Sequence, residues 1–423
     1  MRLADILPLP GERQGITFEP TGIHISFAGF EELDGWRRGY QHDALPAFLL
    51  SCARMATADP GDTNNPLEAL GEQYSQAASL SGFIKDWRRP CQEAGELATR
   101  DFRDQIDEAN AIRAFFESNF QPIEIQNRLR ANTLKGGEVL RPEGVFTGYF
   151  EPVYDASSTK SEVFSAPVLR RPKSLVMASL GKFRDKHAGV RIAGSVVDGF
   201  LVPYPDRSEI NAGALGREAK VIAWVRPNDL FFLQIQGSGR LRIFGDREIR
   251  VGYDGQNGHP YTAIGRLLVE RGHMELSEAS MQSIRSWLDS ASDEDAKALR
   301  EENKSYVFFR SLSQLPSEEL GPLGAEGVQL TPRRSLAVDR RYFGMGLPIW
   351  MELDPDENGN GPQLRRLMVA QDTGGAIKGA VRGDIFAGAG SDAALFAGGL
   401  NSTGRMYALI PNTVAARLAD EIE

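Results

Sequence analysis

The stretch Val369–Gly390, VAQDTGGAIKGAVRGDIFAGAG, sets two aspartates, Asp372 and Asp384, among six glycines. The apolar run Leu364–Gln371 ahead of it reads as a β-strand, so Asp372 falls where that strand meets Thr373-Gly374-Gly375. At a strand end the backbone runs out of ladder partners and a side chain is free to face a cleft. Beyond Ala376-Ile377 a second glycine-marked turn follows, and Asp384 opens the next extended piece, Ile385-Phe386. Two carboxylates on adjacent strands, with glycines that let a ligand approach the backbone, suit acid–base chemistry. The bland alternative is that both aspartates only satisfy turn amides, which is the commoner fate of such a pair taken alone.

Working outward, the chain from Leu336 to Asn412 is β-rich, with strands expected at Ser335–Val338, Leu347–Leu353, Leu364–Ala370 and Arg405–Pro411. A third carboxylate of this part, Asp339, sits in AVDRR just after a strand. Leu312–Pro332, punctuated by Pro and Gly, reads as a connector. Upstream, GVFTGYFEPVY (Gly144–Tyr154) changes the texture to short β-rich runs at Val168–Leu169, Val196-Val197, Val221–Val225, Leu230–Gln236 and Leu241–Phe244, as in a small barrel or sandwich. Helices are expected at about Thr262–Arg271 and Glu278–Asp289, with an acidic helical run over Asp293–Lys304. From Leu33 to about Phe120 the pattern is helical, with stripes in Ala44–Met55 and Ala94–Phe116 broken by Pro60–Pro66, and with Trp36 and Trp87 as core aromatics. Residues 1–30 read as extended entry segments.

A chain of 423 residues predicts two domains, and 41% apolar with 25% charged residues is the composition of a soluble globular protein. A net charge of −9 argues against nucleic acid as partner. No apolar run approaches the roughly 18 residues of a membrane span. The opening MRLADILPLPGERQG reads as no secretory signal, and Leu49-Leu50-Ser51-Cys52 is only a faint lipobox inside an expected helix. Two cysteines, Cys52 and Cys91, are compatible with one bridge in an oxidising compartment or with buried thiols. Five scattered histidines show no metal-ligand spacing, so no metal or other cofactor is expected.

Two further motifs carry polar chemistry. In FLQIQGSGR (Phe232–Arg240), Gln234, Gln236 and Ser238 alternate; on a strand they would share one face and form a sugar- or peptide-binding wall, or a solvated sheet face. The loop VGYDGQNGHPY (Val251–Tyr261) lacks the P-loop Lys-Ser/Thr and the strand–GxGxxG–helix context, so nucleotides are discounted. Asp372-Thr373-Gly374 matches the aspartic-protease signature, but that chemistry needs two copies or a symmetric dimer of short chains, and here there is one copy in 423 residues. No Ser-His-Asp or Cys-His set stands at a recognisable spacing.

AVDRRYFGMGLPIW and LMVAQDTGGAIKGAVRGDIFAGAG together resemble the 3D domain, named for three aspartates, here Asp339, Asp372 and Asp384. GVFTGYFEPVY, FFLQIQGSGRLRI and VGYDGQNGHPYTAIGRLLVERG resemble the other domain of the membrane-bound lytic murein transglycosylase A family. The resemblance runs from about Leu33 to Asn412, with the blocks in the family's order. It implies a mainly β fold with α (α+β). A double-psi β-barrel over 312–423 would pack with the mostly helical residues 1–146. A second β-barrel over 147–311 would be inserted between them, and a groove would hold a glycan strand. It also implies cleavage of the β-1,4 bond between N-acetylmuramic acid and N-acetylglucosamine in peptidoglycan, with formation of 1,6-anhydromuramic ends and no water added.

On that reading Asp384, in RGDIFAG, protonates the leaving oxygen and then takes the proton of the sugar's own C6 hydroxyl. Its pKa must be raised by burial or by a neighbouring carboxylate. Asp372 is that neighbour, held ionised by Lys378, and Asp339 is supporting. Tyr149, Gln234, Gln236 and Ser238 would line the opposite wall, and Glu151 is a second acid candidate ranked below Asp384. The expected partner is the peptidoglycan glycan strand, with other cell-wall enzymes beside it; the protein is expected to act as a monomer in the periplasm, with outer-membrane association through the family. The alternatives are a non-catalytic peptidoglycan-binding scaffold and a hydrolytic murein glycosidase.

Overall fold

The computed structural model describes residues 15–18, 23–38, 41–57, 80–130, 138–184, 187, 191–243, 247–312, 315–355, 362–375 and 377–420. The expected break at Pro60–Pro66, the opening residues before 15, Ala376 and Phe244 lie outside these. The chain forms two compact units, one of residues 1–149, 319–388 and 399–423, the other of 150–318 and 389–398.

The first unit begins with strands β1 (Gly15–Phe18) and β2 (Ile23–Phe27). Three helices follow: α1 (Leu45–Ala56), α2 (Ile84–Ala98) and α3 (Gln105–Asn119). Helix α1 buries Leu45, Ala47, Phe48, Ser51, Cys52 and Met55, the stripe its apolar spacing predicts. Phe48 packs its ring against Trp87, Phe115, Phe116 and Phe120 at centroid distances of 6.2, 6.0, 6.0 and 5.8 Å. Cys52 and Cys91 form a disulfide that ties α1 to α2, so Cys52 has no thiol for a lipid. Closing that loop stabilises the fold by roughly 3–4 kcal/mol, chiefly through the unfolded chain. Strands β3 (Phe120–Arg130), β4 (Glu138–Arg141) and β5 (Gly144–Glu151) complete the N-terminal contribution.

In the second unit, β6 (Val153–Ala156), β12 (Ser238–Ile243), β13 (Arg247–Gln256) and β14 (Val307–Ser311) form one sheet, and β7 (Ala166–Leu169) pairs with β11 (Val221–Val225). Isolated bridges Ser157↔Trp224 and Arg170↔Phe309 link these sheets at both ends, so six strands surround one core. Each contributes a buried residue to it: Ala156, Val168, Ala223, Leu241, Val251 and Phe309. The third sheet is β8 (Val176–Ser179), β9 (Arg191–Val197) and β10 (Phe200–Pro203). The helices are α4 (Arg207–Asn211), α5 (Pro227–Gln236), α6 (Ile264–Glu270), α7 (Met281–Ser290) and α8 (Asp293–Glu302).

Helix α5 corrects the strand expected over Leu230–Gln236. Pro227 occupies its first turn, and Gly237, at φ +76°, terminates it in the left-handed conformation that favours glycine. Leu230 and Leu233 enter the barrel core, while Phe231 and Phe232 enter a second core with Ile264, Leu268, Leu288 and Leu299. A helix buried on two sides reads as a continuous apolar run, which in a short segment looks like a strand.

The chain returns to the first unit with β15 (Ser335–Val338), β16 (Pro348–Asp354), β17 (Leu364–Asp372) and β18 (Arg382–Ala389). Helix α9 (Gly390–Gly399), strand β19 (Asn401–Pro411) and helix α10 (Asn412–Asp420) end the described chain. Because β5 pairs with both β18 and β19, the strands β19-β16-β17-β15-β18-β5 close on themselves, and β3, β2 and β1 extend the sheet outward from β19. Trp36 and Trp87 are fully buried, Trp36 edge-on to Trp350 of β16 at 5.1 Å.

Helices α2 and α10 are joined by Asp86, which accepts from Arg417 Nη1 and Nη2 at 2.9 and 2.7 Å, from Thr413 Oγ at 2.8 Å and from Phe83 N at 2.9 Å. Burial would raise this carboxyl, but the Arg417 fork and the other donors outweigh it and hold it below the ordinary aspartate range. Its contribution is therefore present above the unfolded-state pKa and is lost as pH falls through the native one. Asp86→Asn is expected to lower stability at pH 7 by about 1–3 kcal/mol, with the deficit vanishing in acid. Urea midpoints at pH 7 and pH 3 check this; an equal deficit at both would contradict it.

Candidate active site

Asp384 lies on β18 and Asp372 ends β17, but the two strands are not adjacent as the sequence suggested: β15 runs between them. Ala337 of β15 is the register partner of both, Asp372 on its parallel side and Asp384 on its antiparallel side. The two aspartates are thus two strand spacings apart, roughly 10 Å between backbones. In-register neighbours point to the same face, so both carboxyls and the Ala337 methyl share one surface.

Asp372 reaches that face because of a register shift. Leu336 pairs with Ala370 and Ala337 with Asp372, so Gln371 is an extra residue without a partner on β15. Without this bulge, Asp372 would share the face of Ala370 and point away from Asp384. The bulge is pinned from beneath. Gln371 is fully buried, its Nε2 donating to Ala47 O at 2.8 Å and Ser51 Oγ at 2.9 Å on α1, its Oε1 accepting from Ser335 Oγ. Ser51 in turn donates to Glu326 Oε2 at 2.7 Å, and Glu326 N donates to Gln371 O at 3.1 Å. Gln371→Ala strands several of these groups. It is expected to cost about 1–3 kcal/mol. An unchanged urea midpoint would refute the pinning.

Strand β5 supplies the other wall of this face. Thr147 and Tyr149, two residues apart, point the same way while Phe146 is buried on the opposite side. Tyr149 Oη donates to Asp372 Oδ2 at 2.6 Å, and its ring lies 5.4 Å from Phe386. Thr147 Oγ donates to Asp384 Oδ1 at 2.6 Å. Two glycines make the approach possible. A Cβ on Gly383 would fall 2.9 Å from Phe146 and 3.0 Å from Leu336, and one on Gly144 would fall 1.7 Å from Val381 O. Small residues here let β5 and β18 close on each other.

The two carboxyls are held differently. Asp372 accepts from Tyr149 on Oδ2 and from Ala325 N on Oδ1 at 2.9 Å. Burial pushes its pKa up; the donors Tyr149, Thr373 N and Ala325 N pull against this, and the charge of Asp384 adds to the rise. Asp384 is half-buried; burial raises it too, against the Thr147 hydrogen bond and the Arg382 charge. Its Oδ2 makes no hydrogen bond to the described residues. The Tyr149 hydroxyl is raised well above its ordinary range by burial and by the charge of Asp372.

Asp339 is buried and serves as an anchor. Its oxygens take the Arg341 fork, with Nη2 at 2.6 Å, and Gly379 N at 2.9 Å. Burial would raise it, yet Arg341 and the two amides hold it low. It thereby fixes the loop between the two site aspartates.

Other expected residues fall elsewhere. Lys378 is exposed and is not among the groups that bias the Asp372 proton; Tyr149 and backbone amides do that work. Gln234, Gln236 and Ser238 belong to the second unit and do not alternate on one strand, since the first two lie in α5 and the third in β12. Gln234 is buried, Oε1 accepting from Arg207 at 2.6 Å and Nε2 donating to Val307 O at 3.1 Å, so its amide is committed to the core. Gln236 is half-buried, with Nε2 3.6 Å from Met281 Sδ, and Ser238 is half-buried. Glu151 is fully buried in the second unit, Oε2 shared by Arg240 Nε at 2.8 Å and Arg250 Nη2 at 3.0 Å, a structural ion cluster rather than a free acid. Sequence reading missed Thr147, Arg382, Ala325 and Gln371. Only Thr147 carried a signal, its i, i+2 spacing to Tyr149 in GVFTGYF.

Comparison with known proteins agrees with this layout. Residues 145–310 match the MltA specific insert domain and residues 334–410 the 3D domain. The membrane-bound lytic murein transglycosylase A of Escherichia coli K12 is 36% identical over 270 residues, 62% of this chain and 65% of the relative. This chain thus spans about two thirds of that curated relative's length. The crystal structure of a membrane-bound lytic murein transglycosylase from Agrobacterium tumefaciens superposes with a TM-score of 0.73 at 30% identity, covering 93% of this chain and 99% of that one. E. coli MltA with bound chitohexaose superposes with a TM-score of 0.55 at 28% identity, covering 83% and 89%. With both signature domains in order, and a shared fold over nearly the whole of the Agrobacterium protein, the chain belongs to the membrane-bound lytic murein transglycosylase A family.

Proposed function

We propose that this protein is a lytic transglycosylase of peptidoglycan, cleaving the β-1,4 bond between N-acetylmuramic acid and N-acetylglucosamine. Asp384 is the acid and then the base. Its proton passes to the glycosidic oxygen as the C1–O4 bond breaks, releasing the N-acetylglucosamine 4-hydroxyl. The C6 hydroxyl of the muramic residue then bonds to C1, and its proton returns to the Asp384 carboxylate. No water enters, and one group serves both steps.

The observation that carries this reading is the contrast between the two carboxyls. Asp384 combines a raised pKa with one oxygen that makes no hydrogen bond to the described residues, as a proton donor at neutral pH requires. Asp372 accepts on both oxygens and is suited to holding Tyr149. Chitohexaose bound by the E. coli relative supports a glycan strand as ligand. The Cys52–Cys91 disulfide supports an oxidising location, the periplasmic side of the cell envelope.

The test is the mass of soluble muropeptides released from purified sacculi by the wild-type protein. Products lighter by one water than hydrolytic ones support the transglycosylase. Hydrated reducing ends would make it a hydrolase, and binding to sacculi without release would make it a scaffold.

A further inference from the structure

Among the described residues, the Asp384 carboxyl is gripped on one side only. Thr147 Oγ donates to Oδ1 at 2.6 Å and accepts from Arg382 Nη2 at 2.7 Å. A hydroxyl carries a single proton. With an Arg382 N–H on its lone pair, Thr147 must direct that proton elsewhere, and Asp384 Oδ1 is the acceptor in reach. Arg382 is itself aimed by the backbone, donating through Nη1 to Val145 O at 3.3 Å and to Gly383 O.

An oxygen that accepts from Thr147 is the wrong one to carry the acid proton. We infer that Thr147, oriented by Arg382, is a positioning residue that places the Asp384 proton on Oδ2, the oxygen left for the glycosidic bond. This rests on the transglycosylase reading and deepens it. In the acid form, Thr147 fixes which oxygen donates. In the base form, it stabilises the carboxylate that receives the C6 hydroxyl proton. Thus the pair holds the carboxyl in one orientation through both steps without touching the sugar.

The surroundings leave this pair as the local lever. Among the described residues, the charged or titratable groups that interact with the carboxyl are, besides Arg382 on β18, Tyr149 of β5 and Asp372 of β17. The register partners presented by β15 and β19 at this level are Ala337, beside Asp384, and Asn401, beside Thr147; neither titrates. Burial raises Asp384, and the Thr147 hydrogen bond and the Arg382 charge oppose it. Removing either opposing group should move the carboxyl further up.

The experiment is the pH profile of muropeptide release from sacculi by the full chain, for wild type, Thr147→Val, Thr147→Ser and Arg382→Met. Thr147→Val is expected to lose about tenfold or more in kcat, the worth of one hydrogen bond to a charged group. The limb where activity falls with rising pH should shift to higher pH. Thr147→Ser should restore both rate and profile, and Arg382→Met should move both in the same direction as Thr147→Val. A Thr147→Val protein with the wild-type rate and profile overturns the assignment. So does a slower one whose profile is unmoved and which Ser does not rescue, since that is the mark of a packing defect. An inactive wild type, or an Asp384→Asn variant as active as wild type, would instead overturn the transglycosylase reading and this inference together.

Discussion

Asp384→Asn is expected to reduce muropeptide release by about a thousandfold or more, the range removed with a general acid–base group. The same substitution should raise thermal stability at neutral pH. The sign follows from the direction of the shift. The native Asp384 pKa lies above its unfolded value because burial disfavours the charge. Between the two values the native state binds more protons, so wild-type stability falls as pH rises through that window. Asparagine keeps an oxygen for Thr147 and has no charge to bury, so it escapes this cost at pH 7. Below the ordinary aspartate range both side chains are neutral and the difference should disappear. Sacculus digestion and melting curves at pH 7 and about pH 3.5 measure both effects. Retained activity, or a lower melting temperature at pH 7, would contradict the proposed role.

The second large effect concerns stability in the other unit. Arg207 is buried, sandwiched between Phe231 and Tyr306 with its guanidinium 5.1 and 5.4 Å from the two ring centroids. Its donors all go to neutral acceptors: Asn303 O at 2.7 Å, Gln234 Oε1 at 2.6 Å and Ser305 O. Burial pushes its pKa down to about 10, yet the group stays charged at any working pH. Arg207→Ala would leave three buried acceptors unpaired and a void between two aromatic rings. A loss of about 3–5 kcal/mol is expected, in the range for breaking a buried charged network. Urea unfolding followed by tryptophan fluorescence reads it; Trp224 and Trp287 belong to this unit and Trp36, Trp87 and Trp350 to the other. A midpoint within experimental error of wild type would show that the cage is not needed.

Much of the architecture was legible because it is written in local periodicity and in blocks of fixed residues. The helical stripe of α1 and the strands flanking the aspartates follow from spacing alone. The aspartates themselves stood out through the glycines around them, and the order of the blocks carried the family. The two compact units divide at 149/150 and 318/319, and residues 389–398 join the second unit, a crossing that local periodicity does not report. Helix α5 was misread because both of its sides are buried, which erases the polar face that would have marked a helix.

By itself the sequence determined the family, the β-rich parts, and the two aspartates proposed as the acid and its neighbouring carboxylate. Tertiary structure decided what those carboxyls are able to do. The Gln371 bulge, held by α1, turns Asp372 to the face of Asp384. Tyr149 and Ala325, 223 and 47 residues away in the chain, occupy both oxygens of Asp372. Thr147, 237 residues away, takes one oxygen of Asp384. Periodicity reports only a residue's nearest few neighbours, whereas the face a side chain presents and the proton it holds depend on register and on distant donors.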